Sequence, residues 1–309
     1  MNILIAGATG LVGQELLPPL LERGHRIIIL TRNTVKARER LSVKSPAIRI
    51  TDYKSGWEGG VDAVINLAGS PVTRSWTGRQ RRRILNSRLL STDYIYIRCL
   101  QSRIMPRVWF TVSATGIYHD PAGAPMTEET PCTPSGFLAS TCEKIELNSH
   151  KVANIVERHC ILRLGVILDS RRGYLGKLLP LYRKHLGGRL GSGRQYVPWI
   201  HIQDAAGALL FLLEHSECSG IYNITAPHPC QQGELSRELS QRLGRANPLI
   251  CPGPVLKLLL GRQSELLLQD QNVLPARLLE AGYQFRFENA ADALADLLGD
   301  AGGNGKDQD

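Results

Sequence analysis

No run of eighteen apolar residues occurs in the chain, so no stretch has the length of a membrane-spanning helix. No two cysteines are spaced C-x-x-C. The seven, at positions 99, 132, 142, 160, 218, 230 and 251, are scattered and odd in number. That excludes a disulfide framework or a zinc site of the usual spacing and points to a reducing, cytoplasmic setting. The first residues, MNILIAGATG, lack the basic region and cleavage site of a signal peptide and read as a strand. Acidic residues are outnumbered 28 to 37, for a formal net charge of +9. The densest basic cluster, Arg79-Gln80-Arg81-Arg82-Arg83, has neither an aromatic platform nor a nucleic-acid motif beside it. A solvated helix face explains it, so no specific nucleic-acid partner is expected; a basic rim for an anionic small ligand needs no further assumption. What the chain does have, 43% hydrophobic and 21% charged residues, suits a soluble globular protein with a real core.

Residues 2–6, NILIA, form a short apolar run that ends in Gly7-Ala8-Thr9-Gly10-Leu11-Val12-Gly13. A helical pattern from Gln14 to Arg23 follows, Gly24 stops it, and Arg26 to Leu30 reads as a second buried strand. Val61–Leu67, Val108–Ser113 and Cys160–Leu164 are further apolar strands between helical segments. Continuous apolar strands alternating with helices predict an α/β fold: a doubly wound parallel sheet covered on both faces. After about residue 170, loops rich in glycine and arginine take over. A helix from Asp204 to His215 and a strand from Gly220 to Thr225 are expected to return to the main sheet. The expected division is a nucleotide-binding domain over 1–170, joined by parts of 200–226, and a smaller C-terminal substrate lobe over 171–298. Residues 299–309 read as a disordered tail.

The glycine loop carries chemistry because of its context: it follows a strand and opens a helix. Gly7 permits the tight turn, Gly10 lets a pyrophosphate approach the backbone, and Gly13 allows close helix–sheet packing. The helix N-terminus, at Thr9 to Val12, offers free N–H groups and positive potential to an anion. At the end of the second strand an Asp or Glu would favour NAD, by accepting from the ribose 2′-hydroxyl. The chain instead reads Leu30-Thr31-Arg32-Asn33, with Lys36 one turn on. A guanidinium can grip a 2′-phosphate with two hydrogen bonds and Thr31 can donate a hydroxyl, which favours NADP(H); an ordinary surface arginine is the competing reading. Asn66-Leu67-Ala68-Gly69 closes the third apolar strand with small residues suited to passage of a dinucleotide. Asp62 reads as a turn or cap.

Together these stretches resemble the extended short-chain dehydrogenase/reductase superfamily: the G-x-x-G-x-x-G spacing, NLAG, and Ser113-Ala114-Thr115-Gly116-Ile117-Tyr118. More specifically the chain resembles that superfamily's atypical NAD(P)-binding "epimerase family" branch, typified by bacterial YfcH. The carrying stretches are Trp76…Asn86-Ser87-Arg88, SATGIYHD, GSGRQYVPWIHIQD and LPARLLEAGYQFRF, and the likeness runs to about residue 298. The resemblance implies a Rossmann-type fold and NADP(H) binding, with Thr31, Arg32, Leu67, Ala68 and Arg88 lining the cofactor site and Ile167 near the nicotinamide. Arg83 is a weaker candidate. It implies little about substrate or reaction, which the branch leaves undefined; a sugar nucleotide and a small carbonyl compound are the candidate substrates, and a homodimer is compatible with it.

In the wider superfamily a Tyr-x-x-x-Lys pair supplies the acid–base chemistry: the tyrosine exchanges the proton, the lysine lowers its pKa, and a serine positions the substrate oxygen. Ser113 occupies the serine position. Phe137 stands for the tyrosine and Thr141 for the lysine, and neither can do the job. Loss of such assistance costs about 10²–10⁴ in rate without abolishing hydride transfer to a reactive acceptor. The catalytic candidates are therefore Ser113, to polarise a carbonyl, and Tyr118 or water, to supply the proton; a packing tyrosine competes with the first of these donors. Lys144 reads as a surface lysine, Cys142 as a buried structural thiol, and His119 is ambiguous. His201 and Asp204 read as structural, with Asp204 capping a helix that starts at Ala205. Arg194, Gln195 and Tyr196 are candidates for touching an anionic substrate, against a solvent-exposed loop. The expected function is that of an NADP(H)-dependent oxidoreductase or epimerase-like enzyme, with a non-catalytic NADPH sensor as the alternative.

Overall fold

The computed structural model describes residues 1–73, 75–119, 123–245 and 249–299; of the expected tail, 300–309 lie outside the described residues. The chain opens with β1 (Asn2–Ala6), α1 (Leu11–Glu22), β2 (Arg26–Thr31), α2 (Thr34–Arg40), β3 (Ile48–Asp52) and β4 (Ala63–Asn66). The long α3 (Gly78–Gln101), β5 (Val108–Ala114), α4 (Gly136–Ser149) and β6 (Arg158–Leu164) follow. Short strands β7 (Val166–Leu168), β8 (Gly188–Leu190), β9 (Tyr196–Val197) and β10 (Trp199–His201), with α5 (Gly173–Arg183) among them, lead to α6 (Ile202–Glu214) and β11 (Gly220–Ile224). A seven-stranded sheet runs in the order β11-β6-β5-β4-β1-β2-β3, and every pairing in it is parallel.

Strand alternation explains the two covered faces. In β1, Ile3 and Ile5 point to one side and meet Leu16, Leu17 and Leu20 of α1 and Ala205, Leu209 and Leu212 of α6. Leu4 and Ala6 point to the other and meet Ile95 and Cys99 of α3 with Trp57 and Trp109. Each such leucine or isoleucine contributes about 1.5–3 kcal/mol on burial. That burial holds α1 helical through Pro18 and Pro19, which cost it two backbone donors.

The strand β11 joins the sheet beside β6. Two expectations need correction. The edge strand β3, with only Thr51 fully buried, was not foreseen. Asp204 does not cap a helix beginning at Ala205: α6 begins at Ile202, and His201 is its cap, accepting from Gln203 N through Nδ1 at 3.2 Å. The Asp204 carboxylate instead accepts from the N–H groups of Arg286 (2.8 Å) and Phe287 (2.9 Å) and from the Tyr283 hydroxyl (3.1 Å). It ties the C-terminal segment to the sheet layer.

After β11 come β12 (Cys230–Gln231), α7 (Gln232–Arg242), β13 (Leu249–Cys251), α8 (Gly253–Leu260), α9 (Glu265–Leu268), α10 (Ala276–Glu280) and α11 (Ala290–Leu298). A second apolar cluster forms here, with Leu175 and Leu179 of α5, Trp199, Leu235 and Leu239 of α7, and Ala293 and Leu294 of α11. Residues 263–274 run across the sheet edge: Gln263 Nε2 donates to Val72 O (3.4 Å), Gln271 Nε2 to Thr115 O (2.7 Å), and Leu274 N to Met126 O (2.8 Å).

Candidate functional site

Strand order reverses at β1: β2 and β3 lie on one side, β4, β5 and β6 on the other. The crevice outside the carboxyl ends of the strands at such a reversal is where open α/β sheets bind ligands. The loops after β1, β2, β4, β5 and β6 all open there.

The glycine loop has the geometry its sequence requires. Gly7 sits at φ +84°, and a Cβ there would come within 2.5 Å of Leu67 O. A Cβ on Gly13 would come within 2.6 Å of Ala8 Cα, so glycine alone lets α1 lie this close to the loop. Gly10 donates to Gly7 O (2.9 Å), and a Cβ there would find only that oxygen, at 3.2 Å. Its outward side is open. Thr9, Leu11 and Val12 frame the start of α1, whose first turn holds no acidic residue to compete with an anion. Gly173, at φ +74°, brings the start of α5 against this loop: a Cβ there would lie 3.2 Å from Leu11 and 3.6 Å from Ile167 O. Ile167 is thereby placed beside Leu11.

At the end of β2, Arg32 is exposed and Thr31 half-buried. Asn33 caps α2 by accepting from Lys36 N at 2.9 Å. No carboxylate pairs with Arg32 among the described residues. In the loop after β4, Asn66 Oδ1 accepts from Ala68 N (3.2 Å) and from Ser91 Oγ (3.1 Å), while Asn66 Nδ2 donates to Thr92 Oγ1 (3.0 Å). Leu67, Ala68 and Gly69 are thus anchored to α3. Over Gly69 lies the guanidinium of Arg88, also from α3, with Cζ and Nη2 each 2.8 Å from where a Cβ would be. Arg88 Nη1 donates to Ser70 O (3.2 Å) and Ile84 O (2.9 Å). Burial lowers its pKa from the ordinary arginine value.

Ser113, near the end of β5, is buried, and no hydrogen bond of ordinary geometry reaches its Oγ among the described residues. The neighbouring Cys142 thiol feels that hydroxyl but is too weak a partner to satisfy it. Burial, with Glu146 adding, pushes the Cys142 thiol up to about 11, so it is the inert structural thiol expected rather than a nucleophile. On α4, Thr141 is buried and spends its hydroxyl on Phe137 O at 2.7 Å. The Phe137 ring packs edge-on against Trp76 (4.9 Å), with Arg81 over it at 5.8 Å. Lys144 is exposed.

Tyr118 does not face the crevice as a free acid, which corrects its place among the proton donors. It is 1% exposed; its hydroxyl donates to Asn223 Oδ1 (2.9 Å) and accepts from Arg163 Nη1 (2.7 Å). Arg163 is in turn held by Glu146 through two bonds of 3.0 and 2.8 Å. Burial pushes the phenol up to about 12, against the pull of Arg163. Both lone pair and proton are committed inside the core.

Comparison with known proteins fits this geometry. Residues 3–225 match the NAD dependent epimerase/dehydratase family, and residues 251–297 match a domain of unknown function. The chain belongs to the NAD dependent epimerase/dehydratase family. An epimerase family protein of Staphylococcus aureus strain MW2 is 33% identical over 299 residues, 96% of this chain and 98% of the relative. The chloroplastic SDR39U1 homologue of Arabidopsis thaliana is 33% identical over 96% of this chain and 87% of its own length. Among solved structures, human epimerase family protein SDR39U1 (isoform 2) with NADPH superposes with a TM-score of 0.85 at 29% identity, covering 96% of this chain and 99% of that one.

The remaining candidates of this family member divide by burial. Gln195 is buried and structural: its Nε2 donates to Leu190 O (2.9 Å) and Leu267 O (3.0 Å). Tyr196 N donates to Asp270 (2.8 Å), while Arg194 and Arg83 are exposed. Asp62 fastens the start of β1, accepting from Asn2 N at 2.6 Å. A cleft at the start of α4, lined by His119, Ser135, Lys257 and Glu265, had no signal in the sequence. Its groups meet only because residues 257–269 fold back across the sheet edge, and burial raises the Glu265 carboxyl above its ordinary value there. All seven cysteines are unpaired, and no helix among the described residues is long and apolar enough to cross a membrane.

Proposed function

We propose that this protein is an NADP(H)-dependent oxidoreductase acting on a small carbonyl-bearing substrate, in a reducing, cytoplasmic setting. The observation that carries the cofactor choice is the end of β2, where an exposed Arg32 without a carboxylate partner stands where a ribose-binding acid would favour NAD. Gly7, Gly10 and Gly13 would hold the pyrophosphate at the start of α1, with Thr31 and Arg32 on the 2′-phosphate. Leu67, Ala68, Gly69, Arg88 and Ile167 would line the remainder. The cradle fits the group: the loop approaches closely only where glycine permits, and its outer side is open at Gly10. When bound, the reduced nicotinamide supplies hydride. Ser113, whose buried hydroxyl is unspent, would donate a hydrogen bond to the substrate oxygen, and water would supply the proton.

The human relative bound to NADPH supports the same cofactor. The test is a fluorescence titration of NADPH and NADH against wild type and Arg32→Ala. NADPH should bind more tightly than NADH, and Arg32→Ala should weaken NADPH roughly 10- to 100-fold while leaving NADH unchanged. Preference for NADH, or an unchanged NADPH affinity in the variant, would overturn the assignment.

A second reading, a non-catalytic NADPH sensor, draws on the same face of α4. Phe137 and Thr141 offer no acid, and Tyr118 is locked in the core. Oxidation of NADPH followed at 340 nm with a panel of carbonyl compounds separates the two. Turnover lost in Ser113→Ala favours the enzyme, and its absence across the panel favours the sensor.

A further inference from the structure

Helix α8 reads GPVLKLLL, with Lys257 its one polar side chain. A helix that is apolar all round is ordinarily covered all round, by a core or by lipid. Here Leu256 alone is buried. Leu258 is 85% exposed and Leu259 71%, and Val255 and Leu260 are exposed too. So are Leu249 and Ile250, on the strand β13 that leads into the helix. Single leucines scattered over a surface need no explanation, but six large apolar residues exposed within 249–260 do. Gly261 ends the helix at φ +55°, with open space around it. The charge of this stretch has one sign. From Arg245 to Ser264 the sequence holds no Asp or Glu, and its cations, Arg245, Lys257 and Arg262, are all exposed. The next acid, Glu265, is turned inward: its Oε2 lies 3.3 Å from where a Cβ on Gly136 would be, in the cleft at the start of α4.

We propose that α8 is a docking helix for an anionic lipid surface, with Leu258, Leu259 and Leu260 entering the acyl boundary and Lys257 and Arg262 near the lipid phosphates. A helix of eight residues is about 12 Å long, far short of a bilayer, so it lies on the membrane and does not cross it. Burial of the leucines supplies one part of the attraction. The negative leaflet supplies the other, to which each cation near the surface adds. The same charges speak against a second copy as the cover. In a two-fold pair each patch meets itself, so Lys257 and Arg262 would face like charges with no acid from this stretch to answer them. Lys257 also lines the cleft that holds His119, Ser135 and Glu265, so the seated helix brings that cleft next to the lipid surface.

The experiment mixes the full chain with sucrose-loaded vesicles and sediments them. One set is phosphatidylcholine alone, the other equal parts phosphatidylcholine and phosphatidylglycerol. Wild type should pellet with the anionic vesicles, much less with phosphatidylcholine alone, and raised salt should release part of it. Leu258→Glu/Leu259→Glu should weaken binding roughly a hundredfold or more. Lys257→Gln/Arg262→Gln should weaken it roughly tenfold and flatten the salt dependence. Both leucines are exposed, so the thermal melt of the leucine variant should match that of wild type, and its loss of binding then reports the surface and not the fold. Failure of wild type to bind anionic vesicles, equal binding to both vesicle types, or binding unchanged in the leucine variant overturns the proposal. So does a concentration-dependent dimer in analytical ultracentrifugation that Leu258→Glu/Leu259→Glu breaks while vesicles stay unbound, since the cover is then a second copy.

Discussion

The Thr141 hydroxyl donates to the backbone carbonyl of Phe137, one turn earlier in α4, at 2.7 Å. The two residues that the resemblance sets at the positions of the superfamily's acid and its activating cation therefore bond to each other, and the Thr141 hydroxyl is spent within the helix.

Restoring the lost letters should not restore the lost chemistry. Thr141 is buried, with Cys142 and then Arg88 nearby, so Thr141→Lys would place a second cation in a space whose nearby carboxylate, Glu146, is already held by Arg163. The expected cost is about 2–4 kcal/mol. A thermal melt followed by circular dichroism should show Phe137→Tyr/Thr141→Lys unfolding several degrees below wild type, with no gain in carbonyl reduction. A double variant that is both stable and more active would contradict this account of α4.

The three glycines of the first loop should separate stability from binding. Gly13→Ala drives a methyl within 2.6 Å of Ala8 backbone atoms and should cost about 1–3 kcal/mol. Gly10→Ala meets only Gly7 O at 3.2 Å, so its melting temperature should stay within a degree or two of wild type. If the pyrophosphate passes over Gly10, that same variant should bind NADPH at least tenfold more weakly. An unchanged affinity would move the phosphates elsewhere.

Tyr118→Phe should behave as a core lesion. It leaves Asn223 Oδ1 and Arg163 Nη1 each short of a partner in a buried network, at an expected cost of about 1–3 kcal/mol. NADPH affinity should hold within about twofold, and the pH profile of any turnover should keep its shape. A variant that is fully stable but inactive would return the tyrosine to the chemistry.

How much could be read beforehand depends on how local the cause is. Gly7 and Gly13 are dictated by contacts within the loop or with the adjacent strand end, so a single short motif revealed them. Tyr118 lay in the expected loop, but its direction is set by Asn223, 105 residues away, and by Arg163 on a neighbouring strand. Asp204 matched a helix-capping preference, yet its carboxylate is taken by backbone donors 82 and 83 residues on. The strand β3 alternates weakly and lies at the sheet edge, where half-exposed residues blur a period of two. Arg88 was placed at the site by resemblance. That it has no acid beside it follows only from the packing of α3 over Gly69.

His159 gives the fold a pH dependence of defined sign. It sits on β6 with Nε2 3.0 Å from Thr111 Oγ1, and burial, helped by His150, pushes its imidazole from 6.5 down to about 4. The folded state thus binds the proton less readily than the unfolded chain. Its contribution to stability is fully present above about pH 6.5 and is lost as pH falls toward 4. The full loss amounts to about 3 kcal/mol. Carboxylates titrate in the lower part of the same window, so the informative quantity is a difference: the melting temperature of wild type should fall more steeply than that of His159→Gln between pH 6.5 and 4. Parallel curves would mean that the ring is already protonated, or already solvated, in the folded protein.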